Sequence, residues 1–91
     1  MSGGVYANPQ EIRKFASSLR KFNQNLENNI SYIKNDFARL GETWKDKKHQ
    51  KFAAEFLQII KAIRKFEKIS EQQIPELLKS AELLEKFLET K

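Results

Sequence analysis

Large apolar residues recur every three or four positions through the first forty residues, which is the spacing of one face of an α-helix. The stripe comprises Ile12, Phe15, Leu19, Phe22, Leu26, Ile30, Ile33, Phe37 and Leu40. It is only about 80° wide, as in a coiled-coil seam. Asn8 can cap the helix start and Pro9 suits the first helical position. The pattern predicts a first helix over 9–40, with Gly41 as its left-handed C-cap.

A second apolar pattern follows a short polar turn at 41–46, where Asp46 or Thr43 can cap the next helix. Residues Ala53, Leu57 and Ile60 widen its apolar arc to about 180°. The main stripe comprises Phe52, Phe56, Ile59, Ile63 and Phe66. Because a short loop joins two long helices, the sequence predicts an antiparallel helical hairpin. The first helix can cover only part of the wide arc, so the pattern also predicts an oligomer interface. The predicted interface residues are Phe52, Phe56, Leu57, Ile60 and Ile63.

The last segment allows two interpretations. Residues 70–73 resemble a helix-capping box, with Ile69 and Ile74 spaced as a hydrophobic staple. A third helix would then begin near Ser70 and could complete a three-helix bundle. Alternatively, the second helix runs over 47–89 with a break or kink near 70–75, caused by Pro75. We favour the long kinked helix.

The expected fold is therefore all-α. It has a flexible N-terminus at 1–8 and a single helical-hairpin domain at 9–91, which we expect to pair into a four-helix bundle. Strand-favouring residues are scarce, since Val5 is the only valine. No apolar run approaches the roughly 20 residues of a membrane-spanning helix.

Composition excludes several kinds of site. The chain has 91 residues, no cysteine and one histidine, which rules out disulfides, thiol nucleophiles and His-pair metal sites. There is no phosphate-binding glycine loop and no nucleophile motif. His49 lies among lysines and we expect it to be exposed. We predict no enzymatic activity, no cofactor and no metal.

The net charge of +5 is uneven along the chain. Residues 41–70 carry eight basic and four acidic groups, whereas residues 71–91 carry three and five. A lysine cluster at the turn is predicted as a patch for an anionic partner, unless it is only a solvated surface. It comprises Lys45, Lys47, Lys48 and Lys51. The alternative function is thus a basic, nucleic-acid-associated helical protein, although base-reading arginines and stacking aromatics are not evident.

The run from Leu40 to Trp44, leading into Phe52 between two amphipathic helices, resembles the small Trp-X-Gly proteins of type VII (ESX-like) secretion in bacteria. The resemblance implies a helical hairpin with the tryptophan in its turn, which pairs as a homodimer or heterodimer. It implies a non-enzymatic interaction module or secretion-machinery component. The corresponding turn motif here is Gly41, Trp44 and Asp46.

The chain departs from that family's pattern in two respects. Asp46 stands where the family has its glycine, and its side chain can cap the second helix instead. The family's export signal pairs a C-terminal tyrosine with an acidic residue four positions later, whereas the last tyrosine here is Tyr32. The N-terminus also lacks signal-peptide features. We therefore expect a protein that is cytoplasmic when made, with any export following a signal-peptide-independent route.

Overall fold

A computed structural model describes residues 7–89 and shows two helices joined by a three-residue turn. Helix α1 spans Pro9–Thr43 and helix α2 spans Lys47–Glu89. They run antiparallel, since Arg13 near the start of α1 contacts Glu85 near the end of α2. The molecule is a rod of 68 × 23 × 19 Å. The predicted all-α hairpin is confirmed, while the predicted flexible segment at 1–8 lies almost entirely outside the described residues.

Helix α1 begins where the sequence predicts and ends later. The Asn8 side chain accepts a hydrogen bond of 2.9 Å from the backbone N–H of Gln10, which satisfies a free donor of the first turn. At the other end the helix continues through Gly41, and Trp44 is the C-cap residue. No described glycine has a positive φ. The prediction of Gly41 as a left-handed C-cap is therefore wrong, because the Trp44 N–H continues the helical ladder by bonding to the Leu40 carbonyl at 3.0 Å.

Helix α2 is continuous through Ser70 and Pro75, so the described residues form no separate third helix. Ser70 lies inside the helix rather than at a helix start, and its hydroxyl donates to the Glu67 carbonyl at 3.0 Å. The capping-box interpretation of residues 70–73 is wrong for this reason. Pro75 removes one backbone donor from the helix, and the helical segments on both sides are long enough to continue past it.

The two helices meet along a seam whose most buried residues repeat every seven positions. This is the spacing of antiparallel coiled-coil packing, in which side chains of one helix fill gaps in the other. On α1 these residues are Pro9, Ala16, Asn23 and Ile30; on α2 they are Ile60, Glu67, Ile74 and Ala81. Ser70, three residues after Glu67, is buried as well, so the seam combines apolar residues with three polar ones. A pattern based on large apolar residues alone does not locate Ala16 or Asn23.

Candidate functional site

One edge of the hairpin, beside the seam, is closed by ion pairs between the helices. The Arg13 guanidinium donates to both carboxylate oxygens of Glu85, at 3.0 and 2.6 Å. Arg64 pairs with Glu27 on α1 and with Glu67 on its own helix. Hydrogen bonds from these arginines lower the pKa of both Glu85 and Glu27. We call this side the ion-paired edge.

The opposite edge is apolar and open to solvent. The Phe22 and Phe66 rings meet across it edge to face, with centroids 5.9 Å apart. Phe15, Phe52 and Ile59 lie seven or fourteen residues from one of these two rings, and therefore on the same side of the hairpin. Ile69, three residues after Phe66, also lies there. We call this side the aromatic edge; it consists of Phe15, Phe22, Phe52, Ile59, Phe66 and Ile69. Each of these side chains is 47–56% exposed, so the hairpin leaves a continuous apolar surface without cover.

An aromatic cluster packs the turn at the end of the hairpin. The His49 ring stacks on Phe37, with centroids 5.2 Å apart and planes 10° apart. Trp44 lies edge-on to the same imidazole, also at 5.2 Å, and contacts Phe52 at 5.7 Å. The expected exposure of His49 is therefore wrong, because the turn folds its ring under the tryptophan. Its Nε2 atom is buried and has no hydrogen-bond partner among the described residues.

The turn also shows how two residues of the predicted turn motif are placed. Gly41 lies beside the imidazole: a Cβ atom placed on it would be 3.4 Å from His49 Nε2, which is an ordinary van der Waals contact. Asp46 caps α2: its Oδ1 accepts from the His49 backbone N–H at 3.0 Å, and its carbonyl accepts from Gln50 at 3.3 Å. The bond from the His49 backbone is the main cause of the lowered pKa of Asp46. The structure thus brings Gly41, Trp44 and Asp46 together around His49.

The five residues of the predicted oligomer interface do not share one surface. Ile60 is buried in the seam, and Phe56 packs against Phe37 of α1 with ring centroids 4.7 Å apart. Ile63 is half-buried at a seam position. These three side chains therefore serve the core of the hairpin, because α1 covers them.

Phe52 and Leu57 are both about half exposed, at 56% and 52%, but they lie on different edges. Phe52 is on the aromatic edge. Leu57 precedes Phe66 by nine residues, which is two and a half helical turns, and therefore points to the opposite side of α2. An open cavity of about 510 Å³ lies at the turn end of the aromatic edge, lined by Trp44, Phe52 and Ile59 among others.

The lysines of the predicted anionic-partner patch, Lys45, Lys47, Lys48 and Lys51, are all exposed around the turn. Asp46 lies among them. Nothing in their arrangement identifies a ligand, and the patch stays a prediction. The described residues contain no group of three or more side chains that could hold a metal ion. Neither described helix combines the length and apolar character needed to cross a membrane.

The sequence pattern assigned Phe15, Phe22, Ile59 and Phe66 to the helix stripes without separating core from surface. In the structure they lie beside the seam rather than in it. The signal that distinguishes them is the seven-residue register, since each lies one position before a seam residue: Phe15 before Ala16, Phe22 before Asn23. That one-residue offset rotates a side chain by about 100°, from the seam to the edge.

A long two-helix hairpin with a tryptophan in its turn also matches a known family model. The model for proteins of 100 residues with a Trp-X-Gly motif, WXG100, covers residues 5–87. The chain belongs to this family. It is thus a small helical Trp-X-Gly protein of the type VII secretion group, with Asp46 in place of the motif glycine. No curated protein and no solved structure gave a match.

Proposed function

We propose that this Trp-X-Gly protein is a non-enzymatic interaction module that pairs with a similar helical hairpin through its aromatic edge. The pair would act as a partner, adaptor or exported substrate of a type VII secretion system, by a route that needs no signal peptide. Family membership supports the secretion role. The uncovered aromatic edge is the observation that carries the pairing.

Burial of exposed apolar area would drive the pairing. Six large side chains stay about half exposed along one edge, and removing such area from water contributes roughly 25 cal/mol per Å². Contiguous apolar surface of this kind marks interaction sites in soluble proteins. A second hairpin laid against this edge would bury it and complete a four-helix arrangement. The ion-paired edge offers no comparable apolar area, so pairing has one preferred side.

The test compares two substitutions two residues apart on α2. Ile59→Asp introduces a charge on the aromatic edge, whereas Leu57→Asp introduces the same charge on the ion-paired edge. The two positions have similar exposure, 56% and 52%, and two residues separate their directions by about 200°. A carboxylate buried in an apolar contact costs several kcal/mol unless it is paired.

The pairing measured is self-association at about 1 M salt, which screens repulsion between the lysines of this basic chain. We expect Ile59→Asp to weaken it by about 30-fold or more, whereas Leu57→Asp leaves it nearly unchanged. Solution mass by light scattering and affinity by analytical ultracentrifugation measure this, with helical circular dichroism confirming that both variants fold. Equal loss from both variants would show that pairing does not select the aromatic edge. If the chain stays monomeric at every concentration and with every hairpin partner tried, the pairing proposal is wrong.

A further inference from the structure

We infer that the partner hairpin on the aromatic edge is acidic rather than a second copy of this chain. This inference rests on the proposed pairing and adds the chemistry of the partner. It comes from the charges that border the aromatic edge, which differ from those elsewhere on the molecule.

A lysine immediately precedes every exposed phenylalanine of the described chain. The pairs are Lys14-Phe15, Lys21-Phe22, Lys51-Phe52, Lys65-Phe66 and Lys86-Phe87. The two remaining phenylalanines follow a carboxylate instead: Phe37 follows Asp36, and Phe56 follows Glu55. Those two rings are half-buried and pack against each other near the turn, with their planes tilted by 34°. Lysine thus accompanies the phenylalanines that face outward, and not those that pack within the hairpin.

Helix geometry places these lysines along the border of the aromatic edge. One residue rotates a side chain by about 100°, so each lysine lies beside its phenylalanine on the outer side, away from the seam. Positions that flank a helix–helix contact in this way set which partner and which orientation a coiled coil accepts. We call Lys14, Lys21, Lys51 and Lys65 the lysine rim. All four are exposed, and none forms an ion pair with a residue in the range 7–89.

The carboxylates of the middle of α2 do not neutralise the rim. Glu67 is buried in the seam and paired with Arg64. Glu71 follows Arg64 by seven residues and so lies on the ion-paired edge. Glu55 and Glu76 lie on the outer side of α2, but before and after the stretch that contains Ile59, Phe66 and Ile69. At the turn end, Asp36 and Glu55 line the cavity beside Phe52 and Ile59, and Asp36 pairs with Arg39. Around Phe22 and Phe66 the border carries Lys21 and Lys65, and the carboxylates of residues 18–29 and 59–72 lie in the seam or on the ion-paired edge.

Two copies of this chain would bring rim against rim. In a symmetric pair each surface patch meets the same patch of its mate, so lysines would lie near lysines along the solvent-exposed border of the contact. Like charges across an interface disfavour binding of a partner, whereas opposite charges favour it. An acidic hairpin would instead place carboxylates opposite the rim.

A charge-swapped copy of the chain serves as the acidic probe. The variant K21E/K51E/K65E reverses one rim lysine on α1 and two on α2. The matched control, K34E/K61E/K68E, reverses one exposed lysine on α1 and two on α2 away from the rim. Each lowers the net charge from +5 to −1, since three lysines become three glutamates. Overall attraction to the wild-type chain is thus equal, and only the position of the charge differs.

At low ionic strength we expect the wild-type chain alone to stay near 10.7 kDa, and to self-associate more as salt screens the rim. Mixed with K21E/K51E/K65E it should form a one-to-one complex of twice that mass. That complex should be at least tenfold tighter than the mixture with K34E/K61E/K68E. The preference should vanish near 1 M salt, where the Debye length is about 3 Å. Light scattering and sedimentation measure each of these results.

Two outcomes would overturn the inference while leaving pairing intact: equal binding of the two variants, or wild-type self-association at low salt as tight as the mixed complex. If no mixture exceeds the monomer mass at any salt concentration, the proposed pairing itself fails, and the acidic partner with it. Circular dichroism of each variant alone verifies that the exposed substitutions leave the helices formed.

Discussion

The side-chain nitrogen of Asn23 lies 2.7 Å from the hydroxyl oxygen of Ser70, inside the seam between the two helices. The hydroxyl in turn donates a hydrogen bond to the Glu67 carbonyl. Both side chains are 94% buried, and Asn23 Oδ1 has no hydrogen-bond partner among the described residues. Sliding one helix along the other would separate this pair in an apolar seam. We therefore interpret it as a device that fixes helix register, a role that buried polar residues have in coiled coils.

Ser70→Ala should lower the free energy of unfolding by about 1–3 kcal/mol, because it leaves the Asn23 amide buried without an acceptor. In Asn23→Leu/Ser70→Ala the unpaired groups are gone, so the double variant should lose less than the two single changes summed, with a coupling of about 0.5–3 kcal/mol. Urea unfolding followed by circular dichroism measures the full cycle. Strict additivity would show that the two groups do not interact.

The two interhelical arginines should differ in importance. Glu67 has a side chain only 9% exposed and Arg64 as its charge partner, whereas Arg13 and Glu85 are 43% and 37% exposed. Arg64→Ala leaves a buried carboxylate unpaired and should lower the melting temperature by about 4–8 °C. Arg13→Ala breaks a solvated pair and should shift it by less than about 2 °C. Similar losses from both, in thermal melts at equal protein concentration, would contradict the assigned burial of Glu67.

Gly41→Ala should stabilise the protein by about 0.5–1 kcal/mol. The residue is helical without a positive φ, and alanine has the higher helix propensity. Its Cβ would meet His49 Nε2 at 3.4 Å, which is ordinary van der Waals contact. Ala38→Gly, three residues earlier on the exposed face, provides the reverse control and should lose a similar amount. Destabilisation by Gly41→Ala in urea melts would indicate a left-handed helix end after all.

Asp46 should make the stability of the turn depend on pH. Its pKa is lowered in the folded protein, chiefly by the His49 backbone N–H, so the ionised form is favoured by folding. That contribution is fully present above the usual carboxyl pKa and is lost as the pH falls through the lower, folded value. Glu27 and Glu85 act in the same direction.

Asp46→Asn keeps an oxygen that can cap the helix and removes the charge. The stability difference between wild type and this variant should be constant above roughly pH 5 and should shrink towards pH 2. Thermal melts across this range measure the difference. A constant gap throughout would mean that ionisation of Asp46 does not contribute.

Local chemistry made much of the fold predictable. Asn8 and Asp46 cap the helix starts with their own side chains, so the sequence indicates both starts. Large apolar residues at every third or fourth position define both helices. The prediction for Gly41 was wrong because a glycine near a helix end is typical of a left-handed C-cap but can also stay helical. Only the folded turn decides between the two, since the Trp44 N–H bonds to the Leu40 carbonyl and continues the helix. Ser70, which resembles a helix cap in the sequence, lies inside α2 and accepts a hydrogen bond from Asn23, 47 positions away.

The aromatic edge was harder to predict for a related reason. Phe22 and Leu19 are equally apolar in the sequence, and only packing against α2 distinguishes the exposed ring from the half-buried one. Small and polar residues at the closest approach, Ala16 and Asn23, set the axis of the seam. A helical stripe defined by large apolar residues alone is therefore rotated from the seam towards the aromatic edge.

The brief turn between the helices also imposes an order on folding. Near Trp44 the contacting residues are close in sequence, as with Phe37 and His49, whereas Arg13 and Glu85 at the far end are 72 positions apart. Closing a loop costs more entropy the longer it is. The hairpin should therefore fold from the Trp44 end towards the termini, and unfolding should begin at the termini. Amide protons should exchange progressively faster towards the termini.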